Sequence, residues 1–318
     1  MTGTVLDRDS LRGALALVRR GHTGGDIVHL DARPERITIT LIDTDGTVTA
    51  TVDGVSDVTG RWTFAGIDLL RRLRVSRGPI LLNSPADAEI LQEVGAGTLM
   101  ADVDAGDLAA AAKAAATASH REAVAIPLIR EFSCGLLRID GDTATVAGTD
   151  RFLASVSTIR SSVTADPPGH AVLPQRVLVV LAGLRHAGRV RISRTGPRWR
   201  FETDVVTIDL VESDIAYPDL TPATWWDAPT ITTETTIRTT ADAGGRIVFG
   251  HAVSASFGDG VLDKAGSLLG RGPVRVSICV ETAGLPVRFE RASPRNPTVT
   301  VWAMPGRTSP PLSPRTRS

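Results

Sequence analysis

The chain of 318 residues is long for one domain, and its length suits two or three. A hydrophobic fraction of 42% against 22% charged residues excludes wholesale disorder and supplies more than one core. Thirty-five basic residues balance thirty-five acidic ones, so no global field draws the chain to nucleic acid or to an anionic membrane, and such binding needs a local patch. Lys113 and Lys264 are the two lysines of a set that is otherwise arginine. The two cysteines, Cys134 and Cys279, lie 145 positions apart, which excludes a disulfide framework and a four-thiolate zinc site and points to a reducing compartment. Residues 1–10 carry no apolar stretch behind a basic start, and no run of about 18 apolar residues occurs. The expected location is the cytoplasm, with no membrane partner.

In chain order, the first predicted element is a helix over 9–20, with Asp9 suited to its N-terminus and leucines at helical spacing. Period-two segments at 27–30 and 37–43 read as strands. Residues 62–74 then read as a strand, a short link and a helix ending in Arg71, Arg72 and Arg74, followed by a strand at 79–82. A second Asp-led helix is predicted over 107–117, with strands at 135–139 and 143–147. The strand–link–helix unit returns over 171–185 with a strand at 190–192, and again over 260–269 with a strand at 273–276. In each copy apolar residues three and four apart form one stripe, the pattern of a helix lying on a sheet.

The spacing of these repeats carries information. Ile80 to Val190 is 110 residues and Val190 to Val274 is 84, so the third repeat is shorter by 110 − 84 = 26. The missing part is its opening helix: residues 229–244 alternate like a strand and have no helical stripe. The expected organisation is α+β, with domains at 1–104, 105–225 and a truncated 226–307. Residues 308–318, with three prolines, three serines and two arginines, are expected to be a disordered tail.

A search for chemistry finds no phosphate-binding Gly-Lys loop, no His-Glu-x-x-His and no nucleophile elbow. His120-Arg-Glu122 matches half of a zinc deaminase signature whose Pro-Cys-x-x-Cys half is absent. The six histidines pair at no metal-ligand spacing. The reading is a protein that is not an enzyme and needs no cofactor.

Three motifs carry a resemblance. Gly141-Asp-Thr-Ala-Thr-Val-Ala-Gly-Thr-Asp-Arg-Phe-Leu-Ala154 resembles the acidic turn, strand and Ala-Thr-Asp…Arg-Leu-Ala signature of the bacterial DNA polymerase III β subunit, the sliding clamp. Glu212-Ser-Asp-Ile-Ala-Tyr-Pro-Asp-Leu220 is similar to that family's Glu-x-x-Phe/Tyr-Pro-Asp element, and Val299-Thr-Val-Trp-Ala-Met-Pro-Gly-Arg307 to its terminal strand ending in Met-Pro-x-Arg. The resemblance implies tandem αβ domains in a DNA-clamp fold, with helices lining a hole and antiparallel sheets outside. It implies a processivity factor that encircles duplex DNA, is placed there by a separate ATP-dependent clamp loader, and tethers polymerases or repair factors.

Basic side chains at helix ends would meet phosphates without reading bases. By motif position these are Arg19, Arg20, Arg71, Arg72, Arg74, Lys113, Arg121, Arg185 and Arg189. The family's groove for short peptides maps to Thr149, Phe152 and Leu153, with Pro222, Pro286, Met304, Pro305 and Arg307. The residues also depart from the family pattern: the Thr149-Asp150 turn is one residue shorter, the link after Tyr217-Pro218-Asp219 is clipped, and the chain runs eleven residues past the final motif. The 26-residue shortfall falls where the family's subunits meet, so a monomer or weak homodimer is expected rather than a durable ring. The competing reading is a clamp paralogue that regulates or pairs with the housekeeping clamp without encircling DNA.

Overall fold

The computed structural model describes residues 8–20, 27–33, 36–43, 46–53, 60–66, 97–120, 131–213, 215–218, 230–237, 245–249, 253–279, 286–292, 297–305 and 307–309. They form four helices, α1 (Arg8–Val18), α2 (Ala105–Ala118), α3 (Gln175–Leu181) and α4 (Asp259–Leu269). Seventeen strands accompany them: β1 (Ile27–Arg33), β2 (Arg36–Asp43), β3 (Gly46–Asp53), β4 (Gly60–Ala65), β5 (Thr98–Asp104), β6 (Cys134–Thr149), β7 (Leu153–Pro174), β8 (Arg189–Thr195), β9 (Arg198–Glu202) and β10 (Val206–Val211) in the first two-thirds. The remainder are β11 (Thr230–Thr236), β12 (Arg246–Phe249), β13 (Val253–Ser256), β14 (Pro273–Cys279), β15 (Val287–Arg291), β16 (Thr298–Ala303) and β17 (Arg307–Ser309). Among the described residues no helix is long and apolar enough to cross a membrane, and no three His, Cys, Asp or Glu side chains gather as metal ligands. Cys134 and Cys279 are both buried free thiols.

Contacts gather the chain into two compact units. The first comprises 1–109, 139–142 and 160–214. It holds an eight-stranded sheet in the order β4-β1-β2-β3-β10-β9-β8-β5, antiparallel at every pairing. Alternation explains the strands: in β1 Val28, Leu30 and Ala32 point into the core while His29 and Asp31 face outward. Leu11, Leu15 and Val18 form the buried stripe of α1, which packs on β2 and β3.

The second unit comprises 110–138, 143–159 and 215–318. It contains the pairings β11-β14-β15-β16-β7 of a six-stranded sheet that β6 completes, and the three-stranded sheet β12-β13-β17. Its core joins Leu262, Ala265 and Leu269 of α4 to Phe249, Phe257, Val276, Phe289, Val301 and Ala303. Phe257 and Phe289 meet edge to face at 5.4 Å. α4 packs on β15 and β16.

Two expectations are refined. The N-terminal cap of α2 is Asp104 rather than Asp107: Asp104 Oδ1 accepts the Asp107 amide at 3.0 Å, as a capping carboxylate does for the third residue of a helix. Thr308 and Ser309, expected at the head of a disordered tail, form a strand, because β13 offers them an open edge to pair with. The alanine richness of α2 has its counterpart in the sheet. A Cβ on Gly148 would stand 2.2 Å from the Ala115 carbonyl oxygen, so helix and strand touch backbone to backbone.

Two connections differ in length. Between β5 and β6 the chain has 29 residues (134 − 104 − 1), and between β11 and β12 it has nine (246 − 236 − 1). The second is shorter by 29 − 9 = 20 residues. β11 is the predicted strand, Ile237 has helical backbone, and 238–244 lie outside the described residues.

Two glycines give opposite predictions. Gly148→Ala drives a methyl group into fixed backbone and should lower stability by about 1–3 kcal/mol. Gly13→Ala, mid-helix in α1 with nothing within 4 Å, should raise it by about 1 kcal/mol. Urea unfolding midpoints at unchanged slope read both.

Candidate functional site

The turn between β6 and β7 is built by side chains that replace missing ladder bonds. Thr149 Oγ1 donates to the Leu153 carbonyl at 3.0 Å and accepts the Arg151 amide at 3.2 Å. Asp150 Oδ1 accepts the amides of Phe152 at 3.1 Å and Leu153 at 2.9 Å, the geometry of an Asx turn. Asp150 is buried, and its Oδ2 pairs with Lys264 on α4. These bonds hold Arg151 at φ 81°, in the left-handed region that a side chain ordinarily avoids. Its guanidinium lies 4.5 Å from the centre of the Phe132 ring.

The result is that Phe152 points outward, 63% exposed. The β7/β16 register places Ala303 opposite Leu153, and one step further the Met304 amide donates to the Phe152 carbonyl at 2.8 Å. Met304 is 37% exposed, so two exposed large apolar residues are joined through backbone at one end of the sheet. Of the other residues carried over from the peptide-groove motif, Leu153 and Thr149 are buried, the first in the core and the second in the turn's hydrogen bonds. Pro286 and Pro305 are half-buried, and the backbone of Arg307 lies in β17 opposite Ser256. Pro222 lies outside the described residues. Sequence reasoning missed Asp150, Arg151 and Lys264. An Asx-turn signature was available at Thr149-Asp150, but the pair joins positions 114 apart and has no local signal.

The basic candidates divide. In the first unit a Cβ on Gly183 would stand 2.4 Å from Arg20 Nη1 and 3.0 Å from Leu17 Cδ1, so the end of α1 lies against the turn after α3, two residues before the exposed Arg185. Arg19 is half-buried. Arg189 is engaged: its Nε donates to Asp102 Oδ1 at 2.8 Å and its Nη2 to the Asp102 carbonyl and Ser162 Oγ, each at 2.7 Å. Lys113 is exposed on α2 in the second unit. Among the described residues no carboxylate pairs with Arg20, Arg185 or Lys113. Arg71, Arg72, Arg74 and Arg121 lie outside the described residues.

On the outward sheet face of the first unit, by contrast, basic side chains pair across strands. Arg191 approaches Glu202 at 3.7 Å and Arg200 meets Asp209 at 2.7 Å. Arg194, opposite the buried Trp199 on the inward side of β8, meets Glu212 just past β10 at 3.0 Å. Each such pair contributes little stability.

Tyr217, in the Tyr-Pro motif, has a buried hydroxyl with no hydrogen-bond partner among the described residues. Burial, and secondarily the Cys134 thiol, push its phenol well above the ordinary value of 10.0. The folded state therefore holds this proton more tightly than the unfolded one, and the corresponding stability, complete below pH 10, falls as pH rises past it. As the chain has a single tyrosine, phenolate absorbance reports Tyr217 alone. It should appear only with alkaline unfolding, and Tyr217→Phe should shift that unfolding to higher pH.

No family model matches the chain, and no curated protein does. Solved structures do match. The DNA polymerase III subunit β of Pseudomonas aeruginosa is 15% identical with a TM-score of 0.75, covering 96% of this chain and 99% of that one. The β subunit of Thermotoga maritima is 10% identical with a TM-score of 0.77, covering 96% and 99%. The Helicobacter pylori β clamp in complex with carprofen is 16% identical with a TM-score of 0.73, over the same shares. A P. aeruginosa sliding clamp bound to griselimycin, 15% identical, has a TM-score of 0.76 over 96% of this chain and 100% of that one. The fold is that of the sliding clamp, an α+β architecture of antiparallel sheets and few helices, as the three sequence motifs implied.

Proposed function

We propose that the chain works as a sliding clamp in DNA replication or repair. In this reading it holds duplex DNA without base readout and tethers polymerases or repair factors through short extended peptides. It has no chemistry or cofactor of its own, and a separate loader places it on DNA. The observation that carries the reading is the outward pair Phe152 and Met304, joined through backbone at the end of β7 and β16, in a chain with the clamp fold. Peptide recognition of this kind draws most of its energy from a few apolar anchors, and two adjoining exposed ones offer that. The clamps of P. aeruginosa and H. pylori in complex with griselimycin and carprofen support a small-ligand site on this fold.

Phosphate contact is assigned to Arg20, Arg185 and Lys113, which the cross-strand ion pairs leave uncommitted, rather than to Arg189. Tandem clamp domains at 1–104, 105–225 and 226–307 remain the proposed organisation. With nine residues between β11 and β12, a monomer or weak dimer is proposed, and light scattering at micromolar concentration should find no durable dimer.

The test is binding of a fluorescent peptide of the type Gln-Leu-x-Leu-Phe. Phe152→Ala and Met304→Ala should each weaken it by about thirtyfold, the loss typical of an anchor. Their stability should stay within about 0.5 kcal/mol of the wild type, as expected for exposed side chains. Unchanged affinity in both variants contradicts the assignment. On nicked circular DNA with a loader, Arg20→Ala and Arg185→Ala should each reduce the salt dependence of retention by about one ion.

A further inference from the structure

We propose that Lys264 is a positioning residue for the Phe152–Met304 patch, acting through Asp150; as a statement about ligand binding this rests on the peptide reading above. Lys264 lies on α4, and α4 packs on β16, the strand that Met304 directly follows. From the same helix Lys264 reaches across to the carboxylate of Asp150. One oxygen of that carboxylate, Oδ1, is committed to the amides of Phe152 and Leu153, and the other, Oδ2, faces the ammonium. A single helix therefore holds both apolar residues, one through the strand it covers and the other through an ion pair.

The arrangement has the marks of a latch. Asp150 keeps 7% of its side chain exposed and Lys264 keeps 40%, so the carboxylate is the desolvated partner and is the one that loses most when the pair is broken. Among the described residues no other cation pairs with Asp150. The turn it caps also carries Arg151 at φ 81°, a conformation that persists only while its surroundings enforce it. Without the ammonium, the buried carboxylate loses its counter-charge and must draw in water. That weakens its bonds to the Phe152 and Leu153 amides and lets the turn relax. The expected consequence is local: Phe152 loses its fixed place beside Met304 while the β7/β16 ladder persists. Lysine at this position stands out in a chain with two lysines among thirty-five basic residues.

The experiment follows amide hydrogen exchange across 149–153 in the full chain, together with affinity for the same fluorescent peptide. Lys264→Met should accelerate exchange of the Phe152 and Leu153 amides about tenfold and weaken peptide binding by about as much. Protection of β16 and α4 should be unchanged. Lys264→Arg keeps the charge and should restore both readouts to within about threefold of wild type. Asp150→Asn keeps a capping oxygen but removes the charge, so Lys264→Met added to it should have little further effect, a non-additive cycle. The proposal is overturned if the two amides exchange alike in wild type and Lys264→Met, if protection falls uniformly through α4 and β16, or if the two substitutions add. Should wild type bind no such peptide, the peptide reading fails, and the exchange pattern alone then decides whether Lys264 holds the turn.

Discussion

The pairing of β16 with β7 is the contact on which the functional account depends. It joins a strand near the C-terminus to one from the middle of the sequence, in a register from Thr298 opposite Thr158 to Ala303 opposite Leu153. Continued by one hydrogen bond, it sets Met304 against the backbone of Phe152. Leu153, Val301 and Ala303 anchor the ladder in the core, so Phe152 and Met304, just beyond the paired residues, can face outward at little cost to folding. Burial fixes the register, because a slip of one residue would turn Leu153 and Val301 to solvent.

Charge is distributed by the same alternation. On the eight-stranded sheet, Arg189, Arg191 and Arg200 of β8 and β9 stand beside carboxylates from neighbouring strands. Arginines and a lysine on helices or at helix ends are the remaining basic groups of the proposed reading, where the C-terminal helix dipole favours positive charge. A neutral chain can still hold DNA by placement of charge rather than by excess.

Much of this was legible in the residues. The stripe Leu11, Leu15, Val18 announced α1, and the period-two runs announced β1 and β2. Local patterns of this kind depend on neighbours in sequence, so the sequence displays them. What it concealed depends on neighbours in space. The alanines of α2 carry no sign that Ala115 meets Gly148, since the requirement belongs to a strand 33 positions later. The cap at Asp104 was hidden by Asp107, equally suited by type, and only the direction of a backbone amide separates them. Leu153 is buried because β7 alternates inward at that position. Lys264 gives no local sign of its partner, because Asp150 stands 114 positions earlier.

The most direct test of the account is a photo-crosslinking peptide of the Gln-Leu-x-Leu-Phe type, with the attached residues mapped by mass spectrometry. The account predicts attachment at Phe152, Met304 and their immediate neighbours, suppressed by excess unlabelled peptide. Competable attachment confined to β12 and β13, or to the strands of the eight-stranded sheet, would contradict it.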